Sequence, residues 1–222
     1  MATHLYGGGM DTYRFDKTKD LGSKATIWIG RKMDITKPYG EDGGEAVAFY
    51  IGRPKLTELL WKEMLMASLW YGCTITVERD ATQEYIKYHK GTMPNFMEAN
   101  CLPMLGKKPD IAIDPNRKRK ENEVVEHGAA SSDPFVFNKQ IEIGVLYIEK
   151  YCDKINAPWL LDELLTFDVS DRTSSDTVMG WLMMLLNITG DFRQRKVETR
   201  HYPVVEEYTI GANGTTVTRG GF

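Results

Sequence analysis

Three acidic residues carry the strongest chemical signal in the chain: Asp11, Glu78 and Asp176. Asp11 falls near the end of a short glycine-rich strand (LYGGGMDTY), Glu78 follows the apolar run CTITV, and Asp176 opens the apolar segment DTVMGWLMMLLNI. Each has an ordinary explanation. A strand-end aspartate is usually a turn residue, Asp176 suits the positive end of a helix dipole, and Glu78 can pair with Arg79 or Lys87 on a solvated surface. Brought to one place, however, three carboxylates form a hard oxygen site suited to Mg²⁺ or Mn²⁺. Two such ions, about 3.5–4 Å apart, activate an attacking water and stabilise the leaving oxygen of a phosphodiester. That chemistry needs no covalent nucleophile. The ions also reverse a local charge that would otherwise repel an anionic substrate.

Convergence of these acids depends on the elements that carry them. Strands are predicted over residues 5–13, 25–32 and 45–52, the last two from their β-branched and aromatic content, with the turn-rich DITKPYGEDGG joining them as antiparallel neighbours. Leu56, Leu59, Leu60, Met64, Ala67, Leu69 and Trp70 then recur near helical spacing, with Glu58, Lys62 and Glu63 outward and Gly72 as the stop. Residues 73–77 read as a fourth strand, 82–89 as the start of an amphipathic helix, and 102–105 as a fifth short strand. Residues 107–132 lack sustained periodicity and read as a long, mobile, basic loop. A long helix is predicted at 135–155, with Ile141, Val145, Ile148 and Cys152 on its apolar side, and a shorter one at 159–167. The last helix, 176–188, is capped by Ser174 or Ser175 and is apolar nearly all round, so it should be buried.

The expected fold is therefore α/β, with a central mixed five-stranded sheet flanked by helices. In the order 3-2-1-4-5 the first and fourth strands are central neighbours. Asp11 and Glu78 then meet at the carboxyl edge, where open α/β sheets place their ligands, and a helix packed over the sheet delivers Asp176. Residues 1–190 form one domain and 191–222 a polar, partly ordered tail.

Composition narrows the partners. A net charge of −3 gives no global case for nucleic-acid binding, so contact with phosphates must use local patches. The candidates are Lys107, Lys108 and the run Arg117, Lys118, Arg119 and Lys120, with Lys87 and Lys90 as weaker ones. Such a tract is usually a solvated loop; functionally it would hold a duplex by its backbone without reading sequence. Three widely spaced cysteines, Cys73, Cys101 and Cys152, read as reduced thiols of a cytosolic protein. The four histidines show no metal spacing. No signal peptide is evident, and no run approaches the roughly 18 apolar residues needed to span a bilayer.

The segments GGGMDTYRFD followed by LGSKATIWI, AFYIGRP before a helix and WYGCTITVERD, and the distal SSDTVMGWLMMLL resemble the carboxyl-terminal nuclease domain of phage terminase large subunits. The resemblance spans nearly all of residues 5–188. It implies an RNase H-like fold and a metal-dependent endonuclease that cuts double-stranded DNA during viral genome packaging in the host cytoplasm. Asp11, Glu78 and Asp176 match the family's three acidic metal ligands. Partners implied are the packaging ATPase half, the small terminase subunit and the portal. The family's final motif often carries an acidic pair, whereas Ser175 precedes Asp176 here, leaving Asp16, Asp20, Asp80 and Asp171 as candidates for a fourth ligand. The chain has no GxxxxGK[ST] phosphate loop, so it corresponds to the nuclease half alone, excised or separately encoded. Other readings are a junction resolvase or integrase of the same fold, and a catalytically silent DNA-binding or assembly module.

Overall fold

Strand β1 (Tyr6–Asp11) is the centre of the structure. It pairs antiparallel with β2 (Ala25–Arg31), which pairs antiparallel with β3 (Ala46–Gly52). On its other side β1 runs parallel to β4 (Ile75–Val77), giving the sheet order β3-β2-β1-β4. This computed structural model describes residues 5–12, 23–33, 43–78, 85–87, 105–109, 113–116, 127–171, 175–190, 207–211 and 214–218.

The α/β class and the meander agree with the sequence, but among the described residues the sheet has four strands and not five; residues 102–104 of the predicted fifth strand lie outside them. Beyond β4 the described residues contribute isolated bridges alone: Ile75 with Leu105 and Glu78 with Ala129, both parallel, and Lys107 with His127, antiparallel. Two segments divide the edge between them. The N–H of Gly106 donates to the Ile75 carbonyl at 2.8 Å, and the N–H of Ala129 donates to the Val77 carbonyl at 3.0 Å.

One face of the sheet is covered by α1 (Thr57–Tyr71), whose Leu60, Trp61, Met64 and Leu65 join Met10, Ile27, Ile29, Ile75 and Val77 in one buried cluster. The helix stops at Gly72, whose φ of 57° is the left-handed conformation that glycine adopts without strain. The buried row differs in part from the predicted one. Leu56, Leu59, Leu69 and Trp70 are exposed, because Trp61 and Leu65 complete the inner face beside Leu60 and Met64.

The opposite face carries α2 (Pro134–Tyr151), α3 (Pro158–Thr166) and α4 (Asp176–Gly190). Asp133 caps α2, its carboxylate accepting from the Phe135 N–H at 3.0 Å, and Pro134 fills the first turn. The α-helix ends at Tyr151 and tightens into a 3₁₀ turn (Cys152–Lys154), which divides the segment predicted as continuous helix. Its apolar side also differs from expectation: Val145, Ile148 and Cys152 are exposed, and the buried stripe is Val136, Phe137, Gln140, Ile143, Gly144 and Tyr147. Tertiary partners decide this. Tyr147 stacks edge-on against Trp181 and donates its hydroxyl to the Gly44 carbonyl at 2.7 Å, anchoring that stripe to α4 and to the chain entering β3.

Helix α4 is buried from Trp181 through Ile188, as its all-round apolar composition requires. It lies so close to β1 that a Cβ on Gly9 would stand 1.9 Å from the Met184 nitrogen, so the glycine-rich strand is the bed for this helix. Asn187 fastens the contact. Its Nδ2 lies within hydrogen-bond reach of the Gly8 carbonyl (2.8 Å), the Thr74 carbonyl (3.0 Å) and the Thr76 hydroxyl (3.1 Å), bridging β1 and β4 from above. In the C-terminal region, β5 (Glu207–Gly211) and β6 (Gly214–Thr218) form a two-stranded antiparallel hairpin. Among the described residues no helix is long and apolar enough to cross a membrane.

Candidate functional site

Alternation along the strands sets which way the acids point. Met10 and Val77, opposite each other in the parallel β1–β4 ladder, lie in the α1-side cluster. The next residue on each strand, Asp11 and Glu78, therefore turns to the α4 side. Helix α4 runs antiparallel to β1, with Asn187 over Gly7 and Met184 over Gly9. Its first turn consequently lies over the carboxyl ends of β1 and β4, and the first residue of that turn is Asp176.

The Asp176 carboxylate is held on both oxygens. Oδ2 accepts from the Lys24 backbone N–H at 2.6 Å and Oδ1 from the Ser23 hydroxyl at 3.2 Å. Its backbone carbonyl accepts from the Thr26 hydroxyl at 2.9 Å, and Thr26 stands opposite Asp11 in the β1–β2 ladder. Arg53 in turn donates to the Ser23 carbonyl at 2.6 Å. Ser175 stands at the predicted cap position, its carbonyl accepting from the Met179 N–H at 3.0 Å, and the N–H groups of Thr177 and Val178 donate to Glu163 Oε1, at 3.0 and 3.2 Å; Ser174 lies outside the described residues.

Electrostatics bind the three acids into one unit. Burial pushes the Asp11 carboxyl well above the ordinary carboxylate range, and the negative charges of Glu78 and then Asp176 push it further. A hydrogen bond from the Thr12 N–H opposes this only in part. Burial also raises Asp176, offset by the Lys24 N–H and Ser23 hydroxyl, while the Glu163 charge raises it and the Lys24 ammonium lowers it. Repulsion between Asp11 and Asp176 is expressed on Asp11 because the more acidic partner ionises first. Such a group holds a proton at Asp11 or attracts a cation.

The donor set, all hard carboxylate oxygens, fits Mg²⁺ or Mn²⁺ in kind. Among the described residues no three His, Cys, Asp or Glu side chains stand close enough together to surround one ion. Asp11, Glu78 and Asp176 thus share one electrostatic neighbourhood without forming a closed shell.

The remaining predicted residues are distributed more widely. Asp171 is exposed in a turn whose N–H donates to the Asp168 carbonyl. Lys107 is exposed at its bridge to His127, and Lys87 is exposed on a short helical turn. Lys108 turns inward, its side chain 10% exposed and 3.7 Å from Asp133. Asp16, Asp20, Asp80, Lys90, Arg117, Lys118, Arg119 and Lys120 lie outside the described residues. Sequence reasoning did not single out Ser23, Lys24, Thr26, Arg53 or Glu163. Their roles come from contacts across 14 to 153 positions of chain, which no local pattern displays. The apolar groove lined by Ile27, Ile29, Tyr50, Met66 and Trp70 lies on the α1 side of the sheet, away from the acids.

No protein-family model matches the chain, and neither curated proteins nor solved structures give a match.

Proposed function

We propose that this chain is a metal-dependent endonuclease that hydrolyses double-stranded DNA, with the RNase H-like fold and role of a terminase large-subunit nuclease domain. The observation that supports the reading is that the charges of both Glu78 and Asp176 act on Asp11, at the carboxyl ends of the neighbouring parallel strands β1 and β4, and raise its proton affinity. The β3-β2-β1-β4 order, a meander followed by a strand parallel to β1, supports the RNase H-like assignment.

Asp11, Glu78 and Asp176 would hold Mg²⁺ or Mn²⁺, in the two-ion arrangement that the acids and the resemblance suggest. The bound ions supply charge neutralisation for the phosphate and a water acidic enough to attack it. The chain's own contribution is placement. Asp11 would serve as a ligand in its deprotonated form, Ser23 and Lys24 keep the Asp176 carboxylate oriented, and the exposed Lys107 and Lys87 are available to the DNA backbone. The ATPase half, small subunit and portal would deliver the duplex within the packaging motor of the host cytoplasm.

Incubation with supercoiled plasmid and Mn²⁺ tests the proposal. Wild-type protein should nick and linearise the plasmid, and Asp11→Ala and Asp176→Asn should not. Nicking by all three proteins contradicts the assigned site. Nicking by none favours a silent DNA-binding module, and a strong preference for branched over linear DNA favours a resolvase.

A further inference from the structure

We propose that Glu163, on α3, is a positioning residue of the acidic site: it fixes the first turn of α4 and so determines where Asp176 presents its carboxylate. This inference rests on the nuclease reading and extends it to a residue outside the three acids. The first N–H groups of an α-helix have no partner within the helix. In α4 those of Thr177 and Val178 both point at Glu163 Oε1, at 3.0 and 3.2 Å.

The turn is gripped from its other side as well. Thr26 holds the Asp176 carbonyl, and Ser23 and Lys24 hold its carboxylate. Asp176 therefore sits between two independent supports, one from α3 and one from the start of β2. Glu163 is also near enough for its charge to act on Asp176. A serine or threonine would satisfy the same amides without charge. A carboxylate there adds a negative group beside Asp176, tolerated because it faces the positive end of the helix. The part that positions Asp176 is Oε1, engaged with both amides.

The test compares wild type, Glu163→Ala, Glu163→Gln and Glu163→Asp by three readouts: Mn²⁺ dissociation constant from calorimetry, exchange rates of the Thr177 and Val178 amides, and the ¹³C shift of the Asp176 carboxyl. In Glu163→Ala both amides should exchange faster, the Asp176 resonance should move, and Mn²⁺ affinity should fall about tenfold or more, as for lost partners of metal ligands. Glu163→Gln keeps a side-chain carbonyl that accepts, so amide protection and most of the affinity should return. Should Glu163→Ala fail to fold, Glu163→Asp, too short to reach both amides, should show the same losses in milder form. A variant with lowered Tm, unchanged Mn²⁺ affinity and an unmoved Asp176 resonance would overturn the inference, leaving a structural cap. If the wild type binds no Mn²⁺, the nuclease reading fails by itself. The amide exchange and the Asp176 resonance then decide the positioning role: both altered in Glu163→Ala and restored in Glu163→Gln supports it, and neither altered refutes it.

Discussion

The hydroxyl of Thr26 donates to the backbone carbonyl of Asp176 across 2.9 Å, while Thr26 itself faces Asp11 across the β1–β2 ladder. One side chain on β2 thereby sets the height of the α4 amino terminus above the strand end that carries Asp11. The contact spans 150 positions of sequence and converts sheet register into the placement of two acids.

Thr26→Val preserves shape and removes that hydroxyl. Loss of a buried hydrogen bond should destabilise the fold by about 1 kcal/mol. The larger effect should fall on the site, with Mn²⁺ affinity reduced roughly tenfold because Asp176 is no longer seated against β2. Calorimetric titration alongside thermal unfolding separates the two, and an unchanged Mn²⁺ affinity would mean that Asp176 is placed without Thr26.

The crowding at Asp11 predicts a pH dependence with a definite sign. Burial, then Glu78, then Asp176 raise its carboxyl well above the ordinary value of 3.8, so across that interval the folded state keeps a proton that the unfolded chain has lost. The associated stability is fully present below the unfolded value and is lost as pH rises through the raised one. Of two pH values above 3.8, metal-free protein should therefore be the more stable at the lower one, and Asp11→Asn, with no carboxyl to titrate, should lose that difference. Added Mn²⁺ should stabilise the wild type, by about 2.7 kcal/mol at a hundredfold excess over its dissociation constant, and leave Asp11→Asn unmoved. Melting curves with and without Mn²⁺ at both pH values check this; identical pH profiles for the two proteins would show that Asp11 is not under such pressure.

Gly9→Ala would place a methyl group 1.9 Å from the Met184 nitrogen, a clash with backbone that no rotamer relieves. Helix α4 must lift from β1, at a cost of about 3 kcal/mol or more. Chemical denaturation should show a large fall in midpoint, and a near-neutral result would mean that the helix sits higher on the strand.

The two described lysines of the basic loop should behave differently towards DNA. Lys107 is exposed, whereas Lys108 is turned inward beside Asp133, near the cap of α2. Lys107→Ala should weaken DNA binding for all sequences and reduce the salt slope by about one unit. Lys108→Ala should leave the slope intact and lower Tm slightly. Fluorescence anisotropy over a salt series distinguishes them, and equal slopes for Lys107→Ala and wild type would remove Lys107 from the DNA path.

Much of this architecture was legible in the chain because local patterns suffice for it. The glycine-rich strand ending at Asp11, the β-branched run before Arg31, and the all-apolar helix after Asp176 each announce themselves by composition and period. Asp11 and Glu78 follow from strand alternation once β1 and β4 are neighbours. What was not legible depends on partners distant in sequence. Among the described residues the edge of β4 is shared by Leu105 and Ala129, which lie 24 positions apart, and no local pattern announces that sharing. In α2 two apolar stripes compete, and the anchoring of Tyr147 to Trp181 and Gly44 buries the one that periodicity did not favour. Glu163 lies in a helix whose local sequence, LDELLTF, reads as ordinary surface, and its role exists only because α4 begins beside it.

A crystal soaked in Mn²⁺ and measured for anomalous scattering tests the central claim most directly. The proposed nuclease requires a peak in contact with the Asp11 carboxylate and shared with Glu78 or Asp176, and a second peak nearby would establish the two-ion arrangement. A map with no peak at Asp11, from crystals whose surface sites have taken up the ion, would contradict it.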